Sequence, residues 1–209
     1  MITLIAPGGE SLHTLEGALD RLGLAHLHAV SPRQAAPAGA LILLASGPYD
    51  GACAALKTAG WWRELRQMAA DGRSVLGLNG GLHLLAEGSE EAPRGAGLGM
   101  LPGIVRRLGP GVKLPHLGWS KVSQHRAHPG LPDLRGGWLH FAHCHALEPS
   151  SETQSIAVHG RPFSVLEVRG KVLGLQAQVE KSGTLGLVLL ARLLAGMGER
   201  PLAPTETFN

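Results

Sequence analysis

The segment Val75-Leu-Gly-Leu-Asn-Gly-Gly81 joins a short apolar run to a pair of glycines, and it decides the fold. The apolar run predicts a buried strand, and the leucines that follow predict a helix. A glycine-flanked turn between a strand and a helix forms a nucleophile elbow when its central residue is a nucleophile. The central residue here is Asn79, whose carboxamide has no ionisable nucleophile. Asn tolerates positive φ, so we expect the turn without the chemistry; taken alone, the segment also fits an ordinary turn.

Strand-turn-helix patterns on both sides of this segment predict an α/β fold. Continuous apolar runs at residues 2–6 and 40–45 are typical of strands buried on both faces. Leucines at helical spacing predict a helix up to Leu22, and residues 183–194 predict the last strong helix. Strands are further expected at residues 138–146, 155–158, 164–168 and 172–175, and a loop at 46–51.

We therefore expect one domain, residues 1–196, with a central, mostly parallel sheet and helices on both faces. Residues 197–209 contain Pro201 and Pro204 and are expected to form a loose tail.

Composition excludes several classes of protein. With 44% hydrophobic and 17% charged residues, the chain is not of the disordered type. No apolar run reaches the roughly 18 residues of a membrane helix, and no signal-peptide pattern opens the sequence. The net charge of +3 is spread thinly, which argues against nucleic acid. Two cysteines favour a reduced, cytoplasmic setting.

Five segments together resemble one known family over residues 1 to about 195. They are Gly77-Leu-Asn-Gly-Gly81, Glu87-Gly-Ser-Glu-Glu-Ala-Pro93, Leu114-Pro-His-Leu-Gly-Trp119, His140-Phe-Ala-His143 and Gly174-Leu-Gln-Ala-Gln-Val-Glu-Lys-Ser-Gly183. The family is the glutaminase subunit of imidazole glycerol phosphate synthase, a class I (triad) glutamine amidotransferase. The resemblance implies a three-layer α/β fold without a cofactor. It also implies glutamine hydrolysis by a Cys-His-Glu triad, and transfer of ammonia to a (β/α)8-barrel cyclase partner in histidine biosynthesis.

The triad positions of that family are degenerate in this chain. The nucleophilic Cys falls on Asn79 and the catalytic His on Gln178, while the Glu is kept as Glu180. Neither carboxamide can supply a thiolate or shuttle a proton. Losing members of such a triad removes factors of about 10⁴ to 10⁶ in rate. Asn79 and Gln178 could hydrogen-bond to each other and fill an unreactive pocket.

The resemblance also identifies pocket positions that have changed. The oxyanion loop falls on Gly47, Pro48 and Tyr49. Pro48 has no N–H to donate, and Tyr49 replaces a Gly and is expected to crowd the pocket. Beside Gly80 and Gly81 of the elbow, His83 replaces the usual Gln.

The histidine-rich segment His140-Phe-Ala-His-Cys-His145 allows three interpretations. On a strand, His143 and His145 share one face while His140 and Cys144 share the other, so we expect a half-buried strand beside the old site and no metal centre. A metal site would need further ligands. Cys144 as a relocated nucleophile is the remaining alternative, although it lacks an elbow to lower its pKa.

Several positions resemble family surfaces that face the barrel partner. They are Ser11, Pro115, His116, Gly118, Trp119 and Lys181. We therefore expect a glutaminase-like subunit that binds the cyclase barrel without hydrolysing glutamine. Two alternatives stay open: an active amidotransferase with non-standard residues, or a repurposed module that binds a glutamine-like small molecule.

Overall fold

The protein is described by a computed structural model that covers residues 1–10, 12–93, 95–126 and 134–202. Within these residues five α-helices form. They are α1 (His13–Arg21), α2 (Tyr49–Thr58), α3 (Trp61–Ala70), α4 (Gly80–Leu85) and α5 (Gly183–Gly196). The strands of the described residues are β1 (Ile2–Ile5), β2 (His26–His28), β3 (Leu41–Ala45), β4 (Val75–Asn79), β5 (Gly88–Ser89), β6 (Ile104–Arg107), β7 (His116–Lys121), β8 (Ser123–Gln124), β9 (Trp138–His143), β10 (His145–Leu147), β11 (Thr153–His159), β12 (Arg161–Arg169) and β13 (Val172–Leu175).

Eight of these strands form the central sheet in the order β2-β1-β3-β4-β13-β12-β11-β8. The pairs from β2 to β13 are parallel, and the pairs from β13 to β8 are antiparallel. β4, which carries the elbow, lies between β3 and β13 near the middle of the sheet. Because both of its neighbours are parallel strands, three strand ends meet at the elbow.

Helices cover both faces of this sheet, which confirms the predicted layered α/β fold. On one face the leucines of α1 and α5 pack against residues such as Leu4 and Leu76. On the other face α2, α3 and α4 pack against residues such as Leu43 and Val75. Alternate residues of one strand point to opposite faces, so a strand buried on both faces must be apolar throughout.

Two smaller sheets complete the fold: β10-β6-β5, and the antiparallel pair β7-β9. The pair β7-β9 is fixed to the carboxyl end of β13 by two hydrogen bonds. The Gln178 N–H donates to the His140 carbonyl at 2.9 Å, and the His140 N–H donates to Ser182 Oγ at 2.9 Å. These bonds place β9 beside the elbow.

The structure corrects two predictions about local structure: a loop at residues 46–51, and a continuous strand at residues 138–146, which is interrupted at Cys144 between β9 and β10. Residues 46–51 were expected to form a loop, but α2 begins at Tyr49. The first residues of the expected loose tail make specific contacts: Glu199 Oε1 accepts the Ala40 N–H at 2.8 Å, and the Leu202 N–H donates to the Leu22 carbonyl at 2.8 Å. Residues 203–209 lie outside the described residues. Among the described residues, no helix has the length and apolar character needed to cross a membrane.

Candidate active site

The elbow has the predicted geometry. Asn79 has φ 50° and ψ −113°, and it is the one non-glycine residue with positive φ in the described chain. A Cβ on Gly81 would lie 1.9 Å from the Leu43 carbonyl oxygen, and one on Gly80 would lie 2.3 Å from the Ala45 carbonyl oxygen. Only glycine lets α4 start this close to β3. The scaffold of a nucleophile turn is therefore intact around a residue that is not a nucleophile.

The carboxamide of Asn79 is held by a buried neighbour that the sequence analysis did not single out. Gln176 Nε2 donates to Asn79 Oδ1 at 3.0 Å. Gln176 Oε1 in turn lies 2.8 Å from His83 Nε2. Gln176 is fully buried, and burial lowers the pKa of His83 to about 4. The three side chains form one hydrogen-bonded row across the elbow.

Gln178, which the family resemblance assigns to the position of the catalytic histidine, bonds to a different partner. Its Oε1 accepts from His140 Nδ1 at 3.0 Å. Asn79 and Gln178, which could have bonded to each other, instead bond separately to Gln176 and His140. Burial raises the pKa of Glu180, the carboxyl that the family resemblance assigns to the triad. Glu180 and Gln178 line the same cavity.

Two cavities flank Asn79. The larger, about 380 Å³, is bounded by the elbow and by the turn between β9 and β10. Its lining includes Gly47, Asn79, Gly80, His83, Glu91, His143, Cys144 and His145. The smaller, about 150 Å³, is lined by Glu10, Ser46, Asn79, Gln178 and Glu180 with apolar neighbours. The structure thus brings most of the predicted pocket residues together around Asn79.

Tyr49 does not crowd this pocket, contrary to the expectation from sequence. Its side chain is buried in the core on the face covered by α2, and its hydroxyl would lie 2.8 Å from a Cβ on Gly97. The reason is that Tyr49 opens α2, which turns the side chain inward. The backbone N–H of Tyr49 donates to Glu91 Oε1 at 3.2 Å. This N–H is therefore already hydrogen-bonded to a carboxylate of the protein. Pro48, directly before it, offers no N–H.

The histidines near the site form a buried aromatic cluster. His116 Nδ1 lies 3.1 Å from His143 Nε2, and the His116 ring stacks on His159 at 4.2 Å between centroids. His143 Nδ1 lies 2.9 Å from the His145 carbonyl oxygen. Burial lowers the pKa of His116 to about 4 and that of His143 to about 3. Both nitrogens of His143 therefore have partners, which leaves neither free to act on Cys144.

No group of three or more His, Cys, Asp or Glu side chains in the described parts of the chain is arranged to hold a metal ion.

The candidate interface residues divide into exposed and buried positions. Trp119 is 51% exposed, and Pro115 and Lys181 are also exposed. Gly118 is half-buried, and His116 is buried beneath the small sheet, so the His116 side chain cannot contact a partner directly. Ser11 lies outside the described residues.

The outer face of β7-β9 carries exposed apolar side chains together with the exposed Lys121, and it borders the site. Leu117 is 69% exposed and Trp138 is 54% exposed, on the same side as Trp119. On that side Trp119 is the cross-strand partner of His140. The two rings contact each other edge-on, with 5.9 Å between their centroids. The exposed face therefore continues directly into the residue that binds Gln178.

Gln176, His140 and Glu91 are site residues to which the sequence analysis gave no role, as are Glu10 and Ser46 in the smaller cavity. His140 and Gln176 lie in segments quoted for the family, but their side-chain partners are 38 and 97 residues away in sequence. The alternation of side chains along β9 is a signal for His140, because it places His140 on the face opposite His143.

The mostly parallel sheet with an elbow at the end of a central strand matches the fold of class I glutamine amidotransferases. Solved structures agree. A glutamine amidotransferase matches with a TM-score of 0.75 at 19% identity, covering 95% of this chain and 100% of that one. A glutamine amidotransferase from Thermotoga maritima matches with a TM-score of 0.64 at 14% identity, covering 95% and 98%. At these identities the likeness establishes the fold alone.

Curated relatives narrow the class to one family. Imidazole glycerol phosphate synthase subunit HisH of Symbiobacterium thermophilum is 37% identical over 196 residues, 91% of each chain. The same subunit of Streptococcus gordonii is 31% identical over 195 residues, 92% of this chain and 94% of its own. The chain belongs to the HisH family of imidazole glycerol phosphate synthase subunits. No protein-family model matches the sequence.

Proposed function

We propose that this chain is a HisH-type subunit that docks on the cyclase barrel of imidazole glycerol phosphate synthase without hydrolysing glutamine. One observation carries the proposal: carboxamides occupy the two positions that the family resemblance assigns to the nucleophile and the base. Each is held by a hydrogen bond to another side chain, Asn79 by Gln176 and Gln178 by His140. Amides neither attack a carbonyl nor titrate near neutrality, so the acyl-enzyme step has no nucleophile and no base.

The exposed apolar face supports the docking half of the proposal. Leu117, Trp119 and Trp138 lie on one side of a two-stranded sheet. A contiguous exposed patch of large apolar side chains marks an interaction site more often than scattered ones do. The face adjoins the former active site, so a partner seated there would lie against the cavity that contains Gln178 and Glu180. In the cell the barrel would then draw on free ammonia for the step in histidine biosynthesis.

Glutamate release from glutamine, measured with and without the cognate cyclase, tests the proposal. We expect co-purification with the cyclase, no glutamate above a protein-free control, and cyclase turnover with ammonium salts. A stoichiometric complex that releases glutamate at the rate of intact relatives would contradict it.

A second candidate function is favoured by the position of Cys144. This thiol lines the same cavity as Asn79, so a relocated nucleophile is geometrically open to a ligand there. Its nearest histidine in sequence, His143, has both ring nitrogens engaged, which argues against activation. If any glutamate is released, the Cys144→Ala variant decides its origin: unchanged release excludes the thiol, whereas loss of release assigns it.

A further inference from the structure

A third cavity has a lining of its own. Its volume is about 920 Å³, and it shares no lining residue with the two cavities at Asn79. The lining comes from residues 107–112 at the end of β6 and after it, from Gly160 and Arg161 at the turn between β11 and β12, and from Glu90 and Leu114. The loop after β6 packs on this turn, because a Cβ on Gly160 would lie 2.9 Å from Val112 Cγ1. The cavity is as large as pockets that take whole small molecules, about 300–1,000 Å³.

The guanidinium group of Arg161 is paired on one side only. Its Nη1 donates to Glu148 Oε1 at 3.0 Å, whereas Nε and Nη2 are buried and have no hydrogen-bond partner in the described chain. An N–H of Nε and one of Nη2 run parallel on one edge of the planar group, and this edge binds two oxygens of one carboxylate or phosphate. Buried donors without an acceptor cost free energy. An oxyanion in the cavity that Arg161 lines would supply both acceptors.

The charges around this cavity favour an anion. The side chain of Arg107, which also lines it, is exposed, and the described residues offer this side chain no hydrogen bond or ion pair. The neighbouring carboxylates are already paired, since side-chain nitrogens of Arg106 lie 3.8 Å from Glu90 Oε2 and 3.0 Å from Glu148 Oε2. Glu90 also accepts the backbone N–H of Arg107. With Arg161, the arginines exceed these glutamates by one positive charge, three against two.

We propose that this cavity binds a phosphate group. A phosphate monoester carries about 1.5 to 2 negative charges at neutral pH and three acceptor oxygens. Two of the oxygens satisfy the Nε–H and Nη2–H of Arg161, and the charge of the phosphate attracts Arg107. A carboxylate fits the same edge of Arg161 but brings a single charge for two guanidinium groups. A phosphate fills a small part of the cavity, which leaves room for the organic part of a phosphate ester.

Calorimetric titration of the full chain at neutral pH and low ionic strength tests this site with glucose 6-phosphate, inorganic phosphate and glucose. We expect both phosphates to bind with a Kd of about 1 mM or lower, which two charge-assisted hydrogen bonds support. Glucose should give no heat of binding, because it lacks the phosphate. Tighter binding of glucose 6-phosphate than of inorganic phosphate supports a site for phosphate esters, and equal binding supports a site for the free ion.

Variants of the two arginines test which groups hold the phosphate. Arg161→Lys keeps the positive charge but removes the edge with two parallel N–H bonds, so both phosphates should bind at least about tenfold more weakly. Arg107→Gln removes the second charge and should weaken binding about fivefold. Arg63→Lys is the matched control, because Arg63 is an exposed arginine on α3 outside the cavity, and it should leave both affinities unchanged. Thermal melting checks that the variants fold; if Arg161→Lys does not, Arg107→Gln decides.

Amide NMR spectra of the isotope-labelled chain locate the bound phosphate. The amide signals of Gly109, Gly111 and Gly160, which line the cavity, should shift during the titration, and those of Gly80 and Gly81 at the elbow should not. The inference is overturned if neither phosphate binds, if glucose binds as tightly as glucose 6-phosphate, if folded Arg161→Lys binds with unchanged affinity, or if only the elbow glycines shift. None of these measurements involves glutamine, so their outcome is independent of the proposed lack of hydrolysis.

Discussion

Truncation of Trp119 is the sharpest test of docking through the face formed by β7 and β9. The side chain is 51% exposed, and a tryptophan buries about 150–250 Å² when fully covered. A partner that covers the exposed half would therefore remove roughly 100 Å² of mostly apolar surface from water. At about 25 cal/mol per Å² this contributes about 2.5 kcal/mol, or a 50- to 100-fold change in Kd.

The assay is surface plasmon resonance of Trp119→Ala against the immobilised cognate cyclase. We expect roughly 50- to 100-fold weaker binding for Trp119→Ala, and an intermediate loss for Trp119→Phe because part of the ring contact remains. Val30→Ala is the matched control, since Val30 is another exposed hydrophobic residue, 56% exposed and outside this face. Thermal melting should show that the variants fold. A Kd for Trp119→Ala within about threefold of the unmodified chain would refute the docking face.

Two further predictions concern the site and its stability. Asn79→Cys combined with Gln178→His returns a nucleophile and a base beside the retained triad carboxyl, so glutamate release from the cyclase complex should exceed that of either single variant by at least about 10²-fold; equal rates for the double variant and Asn79→Cys alone would contradict this. His83, His116 and His143 are kept neutral by burial, with pKa values of about 4, 4 and 3, whereas an unfolded histidine titrates near 6.5. The unfolded state therefore binds more protons between these values, and the free energy of unfolding, measured by urea denaturation, should fall by a few kcal/mol from pH 7 to pH 4; a flat profile would show that the rings are accessible to protons in the folded state.

The sequence by itself predicted the fold because its signals are local. A buried strand followed by Asn79-Gly-Gly81 leaves few alternatives to a tight turn, and the structure has that turn with Asn79 at positive φ. The proposed loss of the nucleophile and base likewise rests on single residue types, at Asn79 and Gln178. A carboxamide does not ionise near neutral pH, so its reactivity can be read from the residue type. The ionisation of a thiol or a carboxyl depends on its surroundings.

Only the tertiary structure decided which groups the two carboxamides bind. Asn79 meets Gln176 across 97 residues of sequence, and His83 meets Gln176 across 93. The sequence suggested a bond between Asn79 and Gln178, but the ends of adjacent parallel strands bring Gln176 to the elbow instead. The inward direction of the Tyr49 side chain and the burial of His116 were likewise decided by the tertiary structure. Side-chain direction depends on the register of a strand or the start of a helix, and both are set by packing against elements distant in the chain.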